Sequence, residues 1–90
     1  MRGFYEWHPA KAATNLAKHH VSMRAAPRFE WDSALERIDA RHPYGEVRCT
    51  ALGFIGERLH VMVFTRRGLH IRVISLRKAN MREVKFYVEF

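Results

Sequence analysis

The stretch LHVMVFTRRGLHIRVISL, Leu59–Leu76, consists of two runs rich in β-branched and apolar residues, joined at Arg67-Gly68. Two such runs separated by a short glycine-containing segment are typical of a β-hairpin. This pattern predicts two antiparallel strands near the middle of a small sheet, with bases gathered around the turn.

The register of this hairpin decides which side chains share a face. With Arg67 and Gly68 as the two turn residues, Thr65 lies across from His70. Arg72 is then expected on the same face as Thr65 and His70, because side chains alternate along a strand. The hairpin therefore predicts a basic face with a titratable histidine.

The end of the second strand leads into a well-marked helix. Asn80 and Glu83 have the spacing of a capping box, and an apolar face follows them. Arg77 and Lys78 stand just before this helix, whose free N–H groups favour anions. The functional interpretation is a phosphate-binding site, and the alternative is a solvated basic surface.

Outward from the hairpin, the sequence predicts two helices, Trp7–His20 and Ser22–Phe29, and two strands, Ala34–Arg41 and Val47–Phe54. The second helix should be short, because Pro27 ends or kinks it. With no linker or repeat, residues 1–90 are predicted to be a single domain. The predicted fold is α+β, with a small four-stranded, mainly antiparallel sheet, two N-terminal helices and one C-terminal helix.

The charge balance favours anionic partners. The chain has 16 bases and 9 acids, a formal net charge of +7. Such a field favours polyanions, acidic proteins or anionic membrane surfaces, but no apolar run approaches the roughly 20 residues of a membrane span. Cys49 is the only cysteine, so an intramolecular disulfide and a thiolate metal cluster are excluded. Without a signal segment, the predicted compartment is the cytoplasm.

The six histidines do not have metal-site spacing, so neither a metal nor another cofactor is predicted. His42 and His70 are better placed as proton-transfer groups, since histidine titrates near neutral pH. The segment Arg41–Arg48 also contains Tyr44 and could combine proton transfer with charge neutralisation. The alternative is an ordinary polar turn.

Three segments resemble one known family: FYEWHPAKAATNLAKHHVS, ERIDARHPYGEVRCTALGFIGERLHVMVFTRRG and IRVISLRKANMREVKFY. Together they resemble the BrnT toxins, type II toxin–antitoxin ribonucleases related in fold to RelE. The resemblance runs from Phe4 to Tyr87. The first family pattern, W-D-P-x-K-x-x-x-N-x-x-K-H-G-V, is met at Trp7, Pro9, Lys11, Asn15, Lys18, His19 and Val21. The middle pattern is met at Asp39, Arg41, Tyr44, Gly45, Glu46, Arg48, Leu52 and Gly53. The closing pattern is met at Thr65, Arg67, Gly68, Arg72, Ser75, Arg77, Lys78, Ala79 and Glu83.

This resemblance implies an endoribonuclease that cleaves RNA without metal and inhibits translation. It also implies a cognate BrnA-like antitoxin as partner, with operator DNA contacted only through the antitoxin complex. The predicted catalytic residues are Arg72, Arg77, His42, Tyr44 and His70. The predicted substrate-binding residues are Arg66, Arg67, Arg48, Lys78 and Lys11. The alternative is a non-catalytic basic module that binds RNA or antitoxin, whereas a DNA-binding repressor lacks a helix-turn-helix pattern.

Four positions depart from the family pattern. His8 replaces an aspartate that would cap the first helix, and His20 replaces a glycine that would end it. Leu76 replaces an alanine beside the predicted phosphate site, and Arg66 stands where an acid is common. The first two are expected to affect helix stability, with the His20 end strained or reshaped, and the last two to alter substrate fit or to mark a toxin weakened in activity.

Overall fold

The structure is a computed structural model and describes residues 4–39 and 46–90. Within these ranges, five strands form one mixed sheet, and two α-helices and two short 3₁₀ helices accompany it. The elements follow one another as β1 (Phe4–Glu6), α1 (Pro9–His19), the 3₁₀ helices Met23–Arg28 and Trp31–Ser33, β2 (Leu35–Asp39), β3 (Arg48–Ile55), β4 (Arg58–Arg67), β5 (His70–Lys78) and α2 (Met81–Glu89).

The sheet has the strand order β1-β5-β4-β3-β2. Strands β2 to β5 form an antiparallel meander, whereas β1 pairs in parallel with β5. The prediction of a four-stranded, mainly antiparallel sheet with three helices is therefore wrong. The α+β class holds, but the sheet of the described ranges is five-stranded and mixed, and α1 and α2 are its α-helices.

Both errors have physical causes. Strand β1 has three residues, too few to show an alternating pattern. It forms because β5 offers an unpaired edge, and the Phe4 N–H donates to the Leu69 carbonyl at 3.2 Å. The predicted second helix is the 3₁₀ helix Met23–Arg28, which contains Pro27. Proline has no N–H to donate and disfavours continued α-helix. The segment therefore stops after six residues.

The hairpin turn lies one residue later than the sequence predicts. Gly68 and Leu69 form the turn, so that Arg67 pairs with His70 and Thr65 pairs with Arg72. Gly68 has a φ of 61°, as the first turn position of a type II′ hairpin requires, and glycine adopts this angle at little cost. The corrected register still leaves His70 and Arg72 on one face with Thr65.

A β-bulge in β5 determines which arginines share a face. Ile74 is an extra residue relative to β4, next to the Val63/Phe64 step. In a regular strand Arg72 and Arg77 would point to opposite faces, because side chains alternate. The register across the bulge is Thr65↔Arg72, Val63↔Ser75 and Val61↔Arg77. Arg72, Ser75 and Arg77 therefore share one face of the sheet.

The opposite face of the sheet carries the main core. Its largest fully buried side chains are Phe64, Met23, Met62, Leu76 and Val73. Gly53 lies directly beneath Phe29, where an added Cβ would be 2.5 Å from the ring. A smaller cluster around Leu59, Val61 and Ala79 lies under α2 on the other face. Leu76 therefore faces the core rather than a binding surface.

The ends of α1 are held by the two histidines that depart from the family pattern. The His8 ring Nδ1 accepts from the Ala10 N–H at 3.2 Å, so His8 supplies an N-cap in place of a carboxylate. His20 ends the helix with a φ of 60°, a left-handed conformation that costs a residue with a Cβ more than glycine. The capping box predicted at Asn80 and Glu83 is confirmed at the start of α2. Within the described ranges, no helix has the length and apolar character to span a membrane.

Candidate functional site

Three basic residues at the hairpin end converge on one carboxylate. Glu6, on β1, accepts from Arg72 Nε at 3.2 Å and lies 3.4 Å from the His70 Nδ1 and 4.0 Å from the Arg67 Nη1. The parallel pairing of β1 with β5 places Glu6 opposite Arg72. The hydrogen bond from Arg72, followed by that from His70, lowers the pKa of the Glu6 carboxyl. We call Glu6, Arg67, His70 and Arg72 the hairpin cluster.

Arg48 lies on the same face as the hairpin cluster. It starts β3, and the alternation of β3 and β4 places it beside Thr65, whose other neighbour is Arg72. The Thr65 hydroxyl donates to the Val47 carbonyl at 2.8 Å, which fixes the chain just before Arg48. Two adjacent strand spacings separate the backbones of Arg48 and Arg72, about 10 Å. The structure therefore brings these two predicted residues together.

Arg77 is on the same face of the sheet as Arg72. Their partners on β4, Val61 and Thr65, are four residues apart, so Arg77 lies about 14 Å further along the strand. Its guanidinium donates to both carboxylate oxygens of Glu83 at 2.9 and 2.8 Å. This pairing raises the pKa of Arg77 and lowers that of Glu83. Because Glu83 also accepts from the Asn80 N–H at 2.9 Å, the predicted phosphate position at the start of α2 holds an internal carboxylate. Lys78 is exposed beside it.

Arg66 is separated from the other predicted residues. It pairs with Ile71 and therefore faces the core side of the sheet, opposite the hairpin cluster. Its guanidinium makes a bidentate ion pair with Glu36 and lies 5.1 Å from the centre of the Phe64 ring. The ion pair links β4 to the edge strand β2 across the intervening β3. These contacts also account for the basic residue at a position where the family often has an acid.

A groove lies between α1 and β5, beyond the end of β1. Its volume is about 430 Å³. It is lined by His8, Ala10, Lys11, Thr14, Asn15, Lys18, His19, Ile74 and Ser75. We call it the α1–β5 groove. Lys11 is the predicted substrate-binding residue that lies in it, and sequence reasoning missed Lys18, His19 and Ser75 as its neighbours.

Asn15 holds the two walls of the α1–β5 groove together. Its buried amide donates to the Leu76 carbonyl at 2.8 Å and to the Val21 carbonyl at 3.0 Å, and its oxygen accepts from the Leu76 N–H at 3.1 Å. Beyond β1, the amide of Asn15 thus satisfies a backbone edge that no strand covers. Hydrophobicity in the sequence does not signal this burial, since Leu16 of the same helix is 50% exposed while Asn15 is buried.

The sequence of the chain matches one known protein family. A family model described as "Ribonuclease toxin, BrnT, of type II toxin-antitoxin system" matches residues 7–83. The chain belongs to the BrnT toxin family. Among curated proteins, none matches the chain at a significant level. The family match extends from the start of α1 to the first turn of α2, and so includes both walls of the α1–β5 groove and most of the hairpin cluster.

Membership of the BrnT family implies a ribonuclease toxin with a cognate antitoxin. Apart from Arg66, the predicted site residues that the structure describes form a band of basic side chains on β3, β4, β5 and α1. His42 and Tyr44 lie outside the described residues. Within the described ranges, no three histidine, cysteine, aspartate or glutamate side chains come together as a metal site.

Proposed function

We propose that this BrnT-family chain is an endoribonuclease toxin that cleaves RNA without a metal ion and inhibits translation in the cytoplasm. One observation carries the proposal. The bulge at Ile74 places Arg72, Ser75 and Arg77 on one face of β5, so that cationic groups follow a single line along the strand. In a family of ribonuclease toxins, such a line suits the regularly spaced phosphates of an RNA strand.

The chemistry requires few protein groups. The 2′-hydroxyl of RNA attacks the adjacent phosphorus, the bond to the 5′-oxygen breaks, and a 2′,3′-cyclic phosphate remains. Because the nucleophile is part of the substrate, the protein has to position the strand, stabilise the developing charge and transfer protons. Arg72 and Arg77 are proposed to neutralise phosphate charge, and Arg67, Arg48, Lys11 and Lys78 to bind neighbouring phosphates.

Three side chains are candidates for proton transfer. His70 lies in the hairpin cluster beside Glu6, and His42 and Tyr44 remain candidates from the sequence. The carboxylate of Glu6 accepts from Arg72 Nε, so a phosphate that binds through this donor replaces the carboxylate. The carboxylate and a phosphate are equivalent hydrogen-bond acceptors, so the substrate meets an arginine already oriented for an anion.

The partner is proposed to be a BrnA-like antitoxin that neutralises the toxin, with operator DNA bound only by the complex. The net charge of +7 favours an acidic or amphipathic antitoxin segment. Exposed apolar side chains on and just after α2 supply an apolar counterpart, since Met81 and Phe90 are each 83% exposed and Val88 is 74% exposed. Apolar residues beside free cations fit an amphipathic peptide.

The direct test is cleavage of a defined RNA by the purified chain in EDTA. We expect cleavage that leaves 2′,3′-cyclic phosphate ends, and a loss of about 100-fold in kcat/KM for Arg72→Ala. Arg82→Ala, on the exposed side of α2, is the matched control and should cleave like the wild type. Undiminished cleavage by Arg72→Ala, or activity only after a divalent metal is added, would contradict the proposal.

A non-catalytic module that binds RNA or antitoxin is the second candidate, because Arg72 and Arg77 are both engaged by carboxylates, Glu6 and Glu83. Induced expression in bacteria separates the two functions. Growth arrest that a co-expressed antitoxin relieves supports the toxin. Normal growth, with RNA binding retained by the purified chain, supports the module.

A further inference from the structure

We propose that the α1–β5 groove holds the scissile phosphodiester and that His19 is the general base that deprotonates the 2′-hydroxyl. This inference rests on the proposed ribonuclease function and names the site at which the reaction takes place. It moves the chemistry from the hairpin cluster, where the sequence placed it, to the groove further along β5.

The groove exists because β1 is short. Strand β1 pairs with β5 only as far as Arg72, and α1 then takes the place of the missing strand. Asn15 bridges from α1 to the backbone of Leu76, but a helix with one bridging side chain cannot fill the edge as a strand would. An open space therefore remains beside Ile74 and Ser75, at the bulge.

The charge of the groove is suited to a phosphodiester. Lys11 and Lys18 line it from α1, and no carboxylate is among the described residues that line it. Neither lysine has an ion-pair partner within residues 4–39 and 46–90, in contrast to Arg72 in the hairpin cluster. An RNA phosphate entering the groove meets cations that no internal acid has already neutralised.

His19 differs from the other described histidines. His60 is buried and bonded to a backbone carbonyl at 2.8 Å, His70 is engaged by a carboxylate, His8 caps α1, and His20 is exposed. His19 is half-buried in the groove wall, and its ring has no hydrogen-bond partner among the described residues. An unpartnered imidazole at a cationic groove is available to a substrate hydroxyl.

The protonation state of His19 suits a base. Its burial, followed by the charges of Lys18 and His20 on α1 and of Arg77 on β5, lowers the pKa of the His19 imidazole. His8 and Lys11 are the other titratable groups of the groove. The ring is therefore neutral at pH 7 and able to accept a proton, and the same cations stabilise the phosphate as its negative charge increases.

The reaction balances with these groups alone. His19 takes the proton of the 2′-hydroxyl as the 2′-oxygen bonds to phosphorus. The bond from phosphorus to the 5′-oxygen breaks, and that oxygen takes a proton from water. His19 then releases its proton to solvent, and the strand is left as a 2′,3′-cyclic phosphate and a 5′-hydroxyl. No oxidant or co-reactant is required. The hairpin cluster then binds an adjoining part of the RNA.

The test compares two adjacent histidines. We expect His19→Gln to lower kcat about 100-fold with KM nearly unchanged, and to remove the acidic limb of the pH–rate profile. His20→Gln, one residue further and exposed, should retain the wild-type kcat and the acidic limb, which moves only slightly to higher pH because one neighbouring charge is lost. Arg72→Ala should raise KM more than it lowers kcat. Thermal melting of each variant checks that it is folded.

Rescue gives a readout that a structural role of His19 would not produce. Imidazole added to His19→Ala should restore part of the cleavage, whereas it should not restore cleavage by Arg72→Ala. If His19→Gln keeps the wild-type kcat and pH profile while Arg72→Ala loses kcat, the reaction occurs at the hairpin cluster. That result overturns the role of the groove and of His19 but leaves the proposed ribonuclease function in place. If the wild type does not cleave RNA, the proposed function itself fails, and the inference with it.

Discussion

Both α-helices lie beside the end of β5, but α1 is attached through a buried amide and α2 through groups near the surface. Asn15 of α1 makes two hydrogen bonds to the backbone of Leu76 in β5 and a third to the carbonyl of Val21, just after α1. In α2 no residue is fully buried. Val84 and Tyr87 pack against the small cluster around Leu59, and the polar attachments are the Arg77–Glu83 pair and the Tyr87 hydroxyl on the Ser33 carbonyl at 2.7 Å. The groove residues proposed for chemistry, His19 among them, lie on the firmly attached side.

This difference predicts that α1 and α2 open at different free energies. Elements with few buried contacts and exposed hydrogen bonds open locally at a lower free energy than the core. By that criterion α2 should open at a lower free energy than α1, which should open only with the sheet. Substitutions at the two attachments measure how far apart these free energies are.

The largest effect is expected for Asn15→Ala. The change leaves the backbone N–H and carbonyl of Leu76 buried without partners, and each unsatisfied group costs about 1 to 3 kcal/mol. We expect the free energy of unfolding, measured with urea, to fall by about 3 kcal/mol. Thr14→Ala, which removes an exposed hydroxyl from the preceding residue, should change it by less than about 0.5 kcal/mol. Equal losses in the two variants would show that α1 is not held by this amide.

A smaller effect is expected for Glu83→Gln at the start of α2. The substitution weakens both the capping box and the pair with Arg77, together about 1 kcal/mol at pH 7. Because the pKa of Glu83 is lowered by folding, its contribution is present above the unfolded pKa and is lost as the pH falls through the folded value. The difference between wild type and Glu83→Gln should therefore vanish in acid.

Amide hydrogen exchange shows which elements the Glu83→Gln substitution destabilises. The amides of α2 should exchange faster in Glu83→Gln, while those of β4 and β5 should change little. Glu89→Gln, in the exposed last turn of the same helix, is the control and should leave exchange unaltered. Uniform acceleration over the sheet would mean that α2 does not open separately.

The smallest effect is expected at the end of α1 and has the opposite sign. His20 has a φ of 60°, where glycine is unstrained, so His20→Gly should stabilise the fold by about 0.5 to 1 kcal/mol. His20→Ala retains the Cβ and should give no such gain. A melting temperature that is unchanged or lowered in His20→Gly would show that other contacts of His20 outweigh the strain.

The parts of the fold that sequence could predict are the local ones. The β4–β5 hairpin, the capping box of α2 and the brevity of the Pro27 segment follow from patterns within a few residues. The β-bulge at Ile74 does not: Val73 and Ile74 interrupt the alternation of apolar and polar residues, but two adjacent apolar residues also occur in regular strands that are buried on both faces. Without the bulge, the face shared by Arg72 and Arg77 could not be deduced.

The non-local parts of the site could not be predicted for a related reason. Glu6 approaches Arg72 from 66 residues away, and the three residues of β1 show no pattern of their own. The groove residues Lys18 and His19 gain their significance only when α1 is placed beside Ser75. Arg72, Arg48 and Lys11 were predicted as site residues and lie on the cationic surface; Arg66 lies on the other side of the sheet.

The bridge between Asn15 and Leu76 also has a consequence for biosynthesis. The two residues are 61 positions apart, so the walls of the groove come from the early and late parts of the chain. Contacts of such high sequence separation form late in folding, after the local hairpin. On the ribosome, the groove cannot close until Leu76 has left the exit tunnel. A nascent chain would therefore lack the proposed active site until both walls of the groove have emerged.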